Sequence, residues 1–161
     1  MNISYLLIGG NEGDRTVNLQ QARLSIQDAG ILLIQASSLY ETAAWGKTDQ
    51  PSFLNQALRI STPLDAPGLL QTLLTIETTM GRTRSEKYGA RIIDIDILFF
   101  NDAIIDLPEL TIPHPHIPER RFALTPMAEI APDYIHPSLH KSISTLLDEC
   151  PDTLDVQLYT G

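Results

Sequence analysis

Apolar residues at helical and at alternating spacing divide the chain into two main helices and four strands. The apolar residues between Thr16 and Ala29 recur every three or four positions, and Gly30 suits the end of that helix. A second helix begins near Pro67, a residue suited to a first turn, and ends at Gly81. We expect strands over Ile3–Ile8, Ile31–Tyr40 with a kink, Phe53–Ser61 and Ile92–Phe100, and short helices over Arg121–Ile130 and Ser142–Glu149.

The order of these elements predicts the fold class. The order β-α-β-β-α-β, with a Gly-rich turn after the first strand and a loop over Glu41–Ser52, is typical of the ferredoxin-like split βαβ arrangement. We therefore expect an α+β protein with a ferredoxin-like βαββαβ core, in which an antiparallel sheet carries flanking helices on one face. The 161 residues, without repeats or a linker, favour a single domain over 1–161.

Composition and charge restrict the class of function. The net charge is −9, with 11 basic and 20 acidic residues, so binding to nucleic acid or to an anionic membrane is disfavoured. No stretch approaches the roughly 18 apolar residues of a membrane span. The apolar start also lacks the pattern of a signal peptide, so we expect a cytoplasmic protein. The single cysteine, Cys150, excludes a disulfide within the chain and a metal site built from several cysteines.

The basic residues are concentrated in one part of the chain. Six of the eleven fall between positions 82 and 121, which favours a local anion site. A solvated loop with scattered charge is the alternative explanation. The six residues are Arg82, Arg84, Lys87, Arg91, Arg120 and Arg121.

Two acidic residues interrupt an otherwise apolar strand. Asp94 and Asp96 are two positions apart, so their side chains project from one face, roughly 6.5 Å apart at the backbone. Two like charges on an apolar strand need compensation. One explanation is a strand end at which each carboxylate pairs with an arginine. The other is a divalent cation, and Mg²⁺ suits two carboxylates completed by phosphate oxygens and water.

The neighbouring arginines favour the magnesium explanation and phosphoryl transfer. Arginine recognises phosphate through paired hydrogen bonds, and metal ions with arginines offset the charge of a transferring phosphoryl group. The sequence contains neither a P-loop nor a Rossmann glycine motif. His114 and His116 lack further ligands for zinc, so we expect His114 to donate to a phosphate oxygen. Glu77, on the apolar face of the second helix, is expected to pair with an arginine.

Aromatic residues near the loops, together with Asn55, form a candidate site for a flat heterocycle. An asparagine amide both donates and accepts hydrogen bonds, which suits it to read the edge of a ring. Each aromatic residue taken singly is better explained as part of the core. The aromatic residues are Tyr40, Trp45, Phe53 and Phe122.

Several blocks of the chain resemble one enzyme family. Residues 87–98, Lys-Tyr-Gly-Ala-Arg-Ile-Ile-Asp-Ile-Asp-Ile-Leu, resemble the signature of the 6-hydroxymethyl-7,8-dihydropterin pyrophosphokinases, enzymes of folate biosynthesis. The resemblance extends in order and spacing over nearly the whole chain. The other similar blocks are Ile8–Asn11 with Gly13–Asp14, Ser38–Thr42, Gln50–Pro51 with Phe53–Asn55, Ile76–Glu77 with Gly81–Arg82, Pro113–Pro115 and Arg120–Phe122.

The resemblance implies a reaction and a set of residue roles. The reaction is Mg²⁺-dependent transfer of pyrophosphate from ATP to the hydroxymethyl group of the reduced pterin, leaving AMP, by an enzyme that we expect to be a monomer. Asp94 and Asp96 would hold two Mg²⁺ ions and, with Arg82 and Arg91, form the catalytic set. The expected ATP contacts are Glu77, Arg84, Arg91, Ile97, Thr111, His114 and Arg120. The expected pterin contacts are Thr42, Ala43, Trp45, Phe53, Asn55 and Phe122.

Two other functions stay open at the level of sequence. A two-metal nucleotidyltransferase of the palm type also carries Asp-x-Asp on a strand, but it transfers AMP and releases pyrophosphate. A ferredoxin-like binding module without activity would not bind Mg·ATP. The nucleotide product distinguishes the two enzymes, because the pyrophosphokinase releases AMP.

Overall fold

The computed structural model describes residues 1–43, 51–81 and 92–161. None of the helices in these ranges has the length and apolar character needed to cross a membrane. The strands are β1 (Asn2–Gly10), β2 (Leu32–Ala36), β3 (Tyr40–Thr42), β4 (Phe53–Thr62), β5 (Asp94–Phe100), β6 (Ile105–Leu107), β7 (Leu110–Ile112) and β8 (Val156–Leu158). The helices are α1 (Arg15–Asp28), α2 (Ala66–Thr79), α3 (Arg121–Ile130) and α4 (Ile143–Asp148), and a 3₁₀ turn lies at Ile117–Glu119.

An antiparallel sheet organises the described part of the chain. Its strands are ordered β5-β1-β4-β3-β8, and β2 pairs with β4 beside β3. With β2 and β3 taken as two halves of one strand, this is the arrangement of a ferredoxin-like βαββαβ core. The predicted fold class is therefore confirmed. β6 and β7 form a separate hairpin that follows β5.

The single kinked strand predicted over 31–40 is divided into two strands. β2 ends at Ala36, and β3 begins at Tyr40. Between them, Ser37 donates its N–H to the backbone oxygen of Ala57, and its hydroxyl accepts the N–H of Ala57, each at 2.9 Å. Because a side chain takes the place of a backbone acceptor, the regular ladder stops there, and β3 begins a new pairing with the same strand.

Other boundaries differ from the sequence prediction by a few residues. β1 runs to Gly10, two residues beyond its predicted end, because both glycines continue to pair with β4. β5 begins at Asp94, two residues later than predicted. α1 begins at Arg15, directly after Asp14, whose side chain caps the helix. The predicted loop over 41–52 opens with the end of β3, and β6, β7 and β8 were not predicted, since three residues are too few to show alternation.

Two hydrophobic cores lie on opposite faces of the sheet. On one face α1 and α2 cover buried residues such as Leu6 of β1 and Leu58 of β4. On the other face α3 and α4 cover Tyr5, Leu7 and Ala57. The expectation of helices on one face therefore holds for the two core helices only, because α3 and α4 cover the second face.

Candidate active site

Asp94 and Asp96 project from the same face of β5, as alternation predicts. Both are half-buried, whereas Ile95 between them and Ile97 beyond them are buried in the core that α2 covers. β5 is the outermost strand on its side of the described sheet, with β1 as its neighbour. The two carboxylates therefore lie together at a sheet edge that a hydrated cation can reach.

A row of residues runs across the sheet from Asp94. In the strand register Asp94 pairs with Gly9 of β1, Gly9 with Asn55 of β4, and Asn55 with Tyr40 of β3. Directly paired residues share a face, so the Asp94 carboxylate and the Asn55 amide project on the same side of the sheet. Neighbouring strands are about 4.8 Å apart, so two strand spacings separate the backbones of these residues by roughly 10 Å.

Gly9 is the position without a side chain in this row. A Cβ built on it would lie 2.1 Å from Oδ1 of Asn55 and 2.8 Å from the backbone oxygen of Leu54. Any side chain there would displace the Asn55 amide and fill the space between the amide and the carboxylates. Sequence reasoning assigned Gly9 to a turn beside the site, and the structure places it inside β1. The available signal was a pair of glycines directly after an apolar strand.

Thr42, Phe53 and Asn55 lie on one face of the β3–β4 pair. Thr42 pairs with Phe53, two positions along each strand from the Tyr40–Asn55 pair. Thr42 is 3% exposed, and its hydroxyl oxygen has no hydrogen-bond partner within the part of the chain that is described. A buried hydroxyl without a partner is costly, so this oxygen marks a place where a ligand would supply one.

A cleft of about 350 Å³ lies along the outer side of β5. Its walls are β5, α2 and the segment around β7, and it contains the predicted metal ligands together with four predicted ATP contacts. These residues are Asp94, Asp96, Glu77, Ile97, Thr111 and His114. Residues that are far apart in the sequence thus meet at the sheet edge where the metal was expected.

Glu77 is a buried carboxylate in this cleft. It is 4% exposed, and its Oε2 accepts a 2.7 Å hydrogen bond from the backbone N–H of Ile95. An edge strand presents backbone groups that have no neighbouring strand to pair with. Glu77 therefore satisfies the edge of β5 midway between the two aspartates and ties α2 to that strand. Sequence reasoning predicted an arginine partner for Glu77 and did not predict this backbone contact.

His114 is neutral at neutral pH. Burial, followed by the positive charge of Arg120 and by His116, lowers the pKa of His114 to about 4. Its Nδ1 accepts the backbone N–H of His116 at 3.3 Å, which assigns the ring proton to Nε2. His114 therefore contributes a neutral N–H donor to the cleft, which suits a phosphate oxygen.

Arg120 and Phe122 stand at the start of α3. The guanidinium carbon of Arg120 lies 5.5 Å from the centroid of the Phe122 ring, and its charge acts on His114. Phe122 is half-buried against the core that α3 covers. Neither residue is among the described residues that line the cleft, so they stand beside it.

The remaining predicted site residues divide into two groups. Ala43 is exposed and directly follows Thr42. Arg82, Arg84, Arg91 and Trp45 lie outside the described residues.

The described donors at β5 suit magnesium bound together with phosphate. Within the three described ranges, no group of three or more His, Cys, Asp or Glu side chains is arranged to hold a metal ion. Two carboxylates on one strand face are hard oxygen donors, and Mg²⁺ usually takes one or two of these and fills its other positions with water and phosphate. The donor set therefore fits an ion that arrives with a nucleotide.

The comparison with known families distinguishes between the functions that the sequence left open. A profile of the 7,8-dihydro-6-hydroxymethylpterin-pyrophosphokinase (HPPK) family matches residues 5–132, which include the cleft, the Asp94–Tyr40 row and all of α3. The chain belongs to this family. The expected HPPK activity, pyrophosphate transfer from ATP to hydroxymethyldihydropterin, is confirmed at the level of the family, and the nucleotidyltransferase alternative is not favoured.

Curated HPPK relatives agree with this assignment. The chain is 42% identical over 143 residues to a 2-amino-4-hydroxy-6-hydroxymethyldihydropteridine pyrophosphokinase of Synechocystis, covering 88% of this chain and 73% of the relative. It is 45% identical over 130 residues to the Bacillus subtilis enzyme of the same name, covering 80% of this chain and 78% of that one. The folic acid synthesis protein fol1 of Schizosaccharomyces pombe is 37% identical over 160 residues, which are 99% of this chain and 22% of that much longer protein.

Solved structures support the fold. The crystal structure of wild-type HPPK-DHPS from Plasmodium falciparum with pteroate superimposes with a TM-score of 0.75 at 20% identity. The match covers 92% of this chain and 42% of that one. At this identity the likeness shows that the HPPK fold is shared.

Proposed function

We propose that this pyrophosphokinase depends on Mg²⁺, that Asp94 and Asp96 bind the ions, and that ATP occupies the cleft along β5 while the reduced pterin binds over β3 and β4. The observation that carries the proposal is the row from Asp94 over Gly9 to Asn55. It places hard oxygen ligands at one end and a hydrogen-bonding amide at the other, roughly 10 Å apart. A metal-bound triphosphate suits the first end, and the edge of a heterocycle suits the second.

The residues of the cleft complement a triphosphate. Carboxylates repel phosphate, so the pair at Asp94 and Asp96 favours phosphate only when cations lie between them. His114 donates from Nε2 to a phosphate oxygen, and Arg120 adds positive charge beside it. Ile97, Thr111 and Glu77 line the same cleft and complete the described ATP contacts. Arg82, Arg84 and Arg91 supply further positive charge, as the resemblance implies.

The pterin site combines an amide, a hydroxyl and two aromatic rings. The Asn55 amide donates to and accepts from the edge of the ring. The Thr42 hydroxyl has no hydrogen-bond partner among the described residues, and the bound pterin provides one. Phe53 and Phe122 stack on the ring, which buries its faces and gives the stacked geometry that aromatic systems prefer. Ala43 and Trp45 complete the predicted contacts.

The transfer forms one bond and breaks one. The hydroxymethyl oxygen of the pterin bonds to the β-phosphorus of ATP, and the bond from that phosphorus to the oxygen bridging to the α-phosphorus breaks, so that AMP leaves with the bridging oxygen. Mg²⁺ held by Asp94 and Asp96 would neutralise charge on the phosphate oxygens. Asp96 accepts a hydrogen bond from the attacking hydroxyl and orients it, and the proton leaves to water once the new bond has formed. Positioning and charge compensation thus account for the rate.

Product analysis of the purified chain tests this proposal. Incubation with ATP, Mg²⁺ and 6-hydroxymethyl-7,8-dihydropterin should give AMP and the pterin pyrophosphate, and both should depend on added Mg²⁺. Release of pyrophosphate in place of AMP would identify a nucleotidyltransferase. If a titration shows that the chain binds no Mg·ATP analogue, the protein is a binding module without this activity.

An Asp96→Asn variant tests the role of the carboxylate. Its kcat should fall by about a hundredfold or more, because a charge that acts in the transition state is lost. Asp28→Asn, at the exposed end of α1, is the matched control and should keep the wild-type rate. A full rate for Asp96→Asn at saturating Mg²⁺ would contradict any role for its charge.

A further inference from the structure

Glu129 joins the last turn of α3 to β3 through three hydrogen bonds. Its Oε2 accepts the backbone N–H of Ser38 at 2.9 Å and the Ser38 hydroxyl at 3.3 Å. Its Oε1 accepts the hydroxyl of Tyr40 at 2.5 Å. One carboxylate therefore fixes both the approach to β3 and its first residue. Hydrogen bonds to an ionised acceptor are stronger than those between neutral groups.

The strand that Glu129 holds carries part of the proposed pterin site. Tyr40 and Thr42 are two positions apart in β3, so they share a face. Tyr40 also pairs with Asn55, and Thr42 with Phe53. β3 has only three residues, which pair with β4 on one side and with the three-residue β8 on the other, so its backbone ladders are short. Side chains that bind β3 therefore add to these short ladders in fixing where Thr42 lies.

The helix that bears Glu129 carries another part of the same site. Phe122 and Glu129 are seven positions apart in α3, which is close to two full turns, so they lie on one stripe of the helix. Phe122, in the first turn, is the predicted aromatic contact of the pterin. Glu129, in the last turn, reaches Tyr40. One stripe of α3 thus carries both the aromatic wall of the pterin site and the carboxylate that binds β3.

We propose that Glu129 is a positioning residue for the pterin site, which through Ser38 and Tyr40 sets the separation between Phe122 on α3 and Thr42 on β3. The inference rests on the proposed pterin site, and Glu129 itself touches neither substrate. Its loss widens or loosens the slot for the ring and leaves the cleft along β5 in place. The pterin affinity should therefore fall while the ATP affinity is kept.

Tyr40 remains a donor throughout the pH range in which the enzyme can be assayed. Burial, and then the neighbouring Glu129, raises the pKa of Tyr40 to about 12. The protonated phenol of Tyr40 therefore donates its hydrogen bond to the Glu129 carboxylate, and removal of the phenol oxygen abolishes this bond. Tyr40→Phe does this with little change of shape.

Steady-state kinetics of Tyr40→Phe, Glu129→Gln and Glu129→Ala test the proposal. Tyr40→Phe and Glu129→Ala should raise the KM for the pterin about tenfold, as expected for loss of a hydrogen bond to a charged group. The KM for ATP should stay within about twofold, since the cleft is unchanged. Glu129→Gln keeps one acceptor oxygen and should lie between the wild type and Glu129→Ala. Glu149→Gln, which breaks the exposed 2.7 Å ion pair between Glu149 directly after α4 and Lys141 before it, is the matched control and should change neither KM.

A merely structural role predicts a different pattern. The proposal is overturned if Tyr40→Phe leaves the pterin KM unchanged, or if the variants raise both KM values equally. If Glu129→Ala fails to fold, Tyr40→Phe and Glu129→Gln decide the question, and thermal unfolding monitors their stability. A wild-type protein that forms no AMP would contradict the proposed function itself, whereas an active wild type with unaffected variants would contradict only the positioning role.

Discussion

The proposed site has a phosphate edge at β5 and a pterin edge at β3, and these two strands are held in place in different ways. β5 pairs with β1 over six positions and is held from its outer side by the Glu77 carboxylate. β3 has three residues, which pair with β4 on one side and with the three-residue β8 on the other, and side chains from the helices bind it as well. Glu129 binds it from α3, and Nη1 of Arg15 at the start of α1 donates to the Glu41 carboxylate at 2.7 Å and to the backbone oxygen of Ser52 at 2.8 Å.

This difference determines how local the effect of a substitution is. A long strand ladder spreads the loss of one contact over many others, so the phosphate edge keeps its geometry. β3 is paired over only three residues on each side, so the loss of a side-chain hydrogen bond to it is shared among fewer contacts and has more effect on Thr42. We therefore expect substitutions outside the site to change pterin affinity more readily than ATP affinity.

Gly9→Ala should have the largest effect, because Gly9 lies between the two edges. The new methyl group would lie 2.1 Å from Oδ1 of Asn55, so the amide must turn away from the ring that it reads. Pterin affinity should fall about a hundredfold, as for a displaced positioning group. Separate calorimetric titrations with the pterin and with a Mg·ATP analogue check this, and the analogue should bind within about twofold of the wild type.

The Asn55→Ala background provides the control for Gly9→Ala. With the amide already absent, the added methyl group should weaken pterin binding much less. An equal loss of both affinities in the single variant would show that the two edges do not behave as separate units.

The pH dependence of stability tests the phosphate edge through His114. Its pKa is lowered from 6.5 to about 4 in the folded protein, so the unfolded chain binds more protons between these values. Stability is therefore fully present above about pH 6.5 and falls as the pH drops towards 4, by up to about 3 kcal/mol. Urea unfolding of the wild type and of His114→Gln over this range measures the difference. His136 also has a lowered pKa, so part of the decline should remain in the variant.

His140→Asn is the matched control for His114. His140 is exposed and has a positive φ of 58°, a conformation that asparagine tolerates. Because the charge of His140 contributes to the lowered pKa of His136, His140→Asn should change only the part of the decline that remains in His114→Gln. A His114→Gln variant whose stability declines as steeply as that of the wild type would contradict the assignment of a neutral, half-buried imidazole.

Thr42→Val should have the smallest effect, with opposite signs in two measurements. Its hydroxyl oxygen is buried without a partner among the described residues, so its removal should leave the unfolding free energy unchanged or raise it by up to about 1 kcal/mol. The pterin affinity should fall about tenfold, because the ligand loses a hydrogen bond. Urea unfolding and a pterin titration measure the two quantities.

Thr72→Val is the matched control for Thr42. The Thr72 hydroxyl bonds within α2, to the backbone oxygen of Gly68 at 3.1 Å, away from the pterin site. It should leave the pterin affinity unchanged. A Thr42→Val variant that is clearly destabilised and binds the pterin normally would show that the hydroxyl serves the fold and not the ligand.

The parts of the molecule that follow a regular pattern were predictable. Alternation along β5 placed Asp94 and Asp96 on one face, and a kink was expected within the strand over 31–40 that forms β2 and the start of β3. The three-residue strands β6, β7 and β8 were not predictable, since they are shorter than any periodic signal.

The contacts between distant residues were also beyond sequence reasoning. Glu129 lies 89 positions from Tyr40 and is exposed on an amphipathic helix, where a glutamate ordinarily needs no partner. The bond from Ile95 to Glu77 satisfies a backbone group at a sheet edge, and that need appears only once the strand order is known. Both hydrogen bonds depend on the tertiary arrangement and not on local propensity.

A crystal structure with Mg²⁺, a non-hydrolysable ATP analogue and the pterin tests the central claim most directly. The account predicts magnesium bonded to carboxylate oxygens of both Asp94 and Asp96 at about 2.1 Å, with phosphate oxygens completing its coordination. Two carboxylates paired with guanidinium groups, with no cation between them and the triphosphate bound elsewhere, would contradict it.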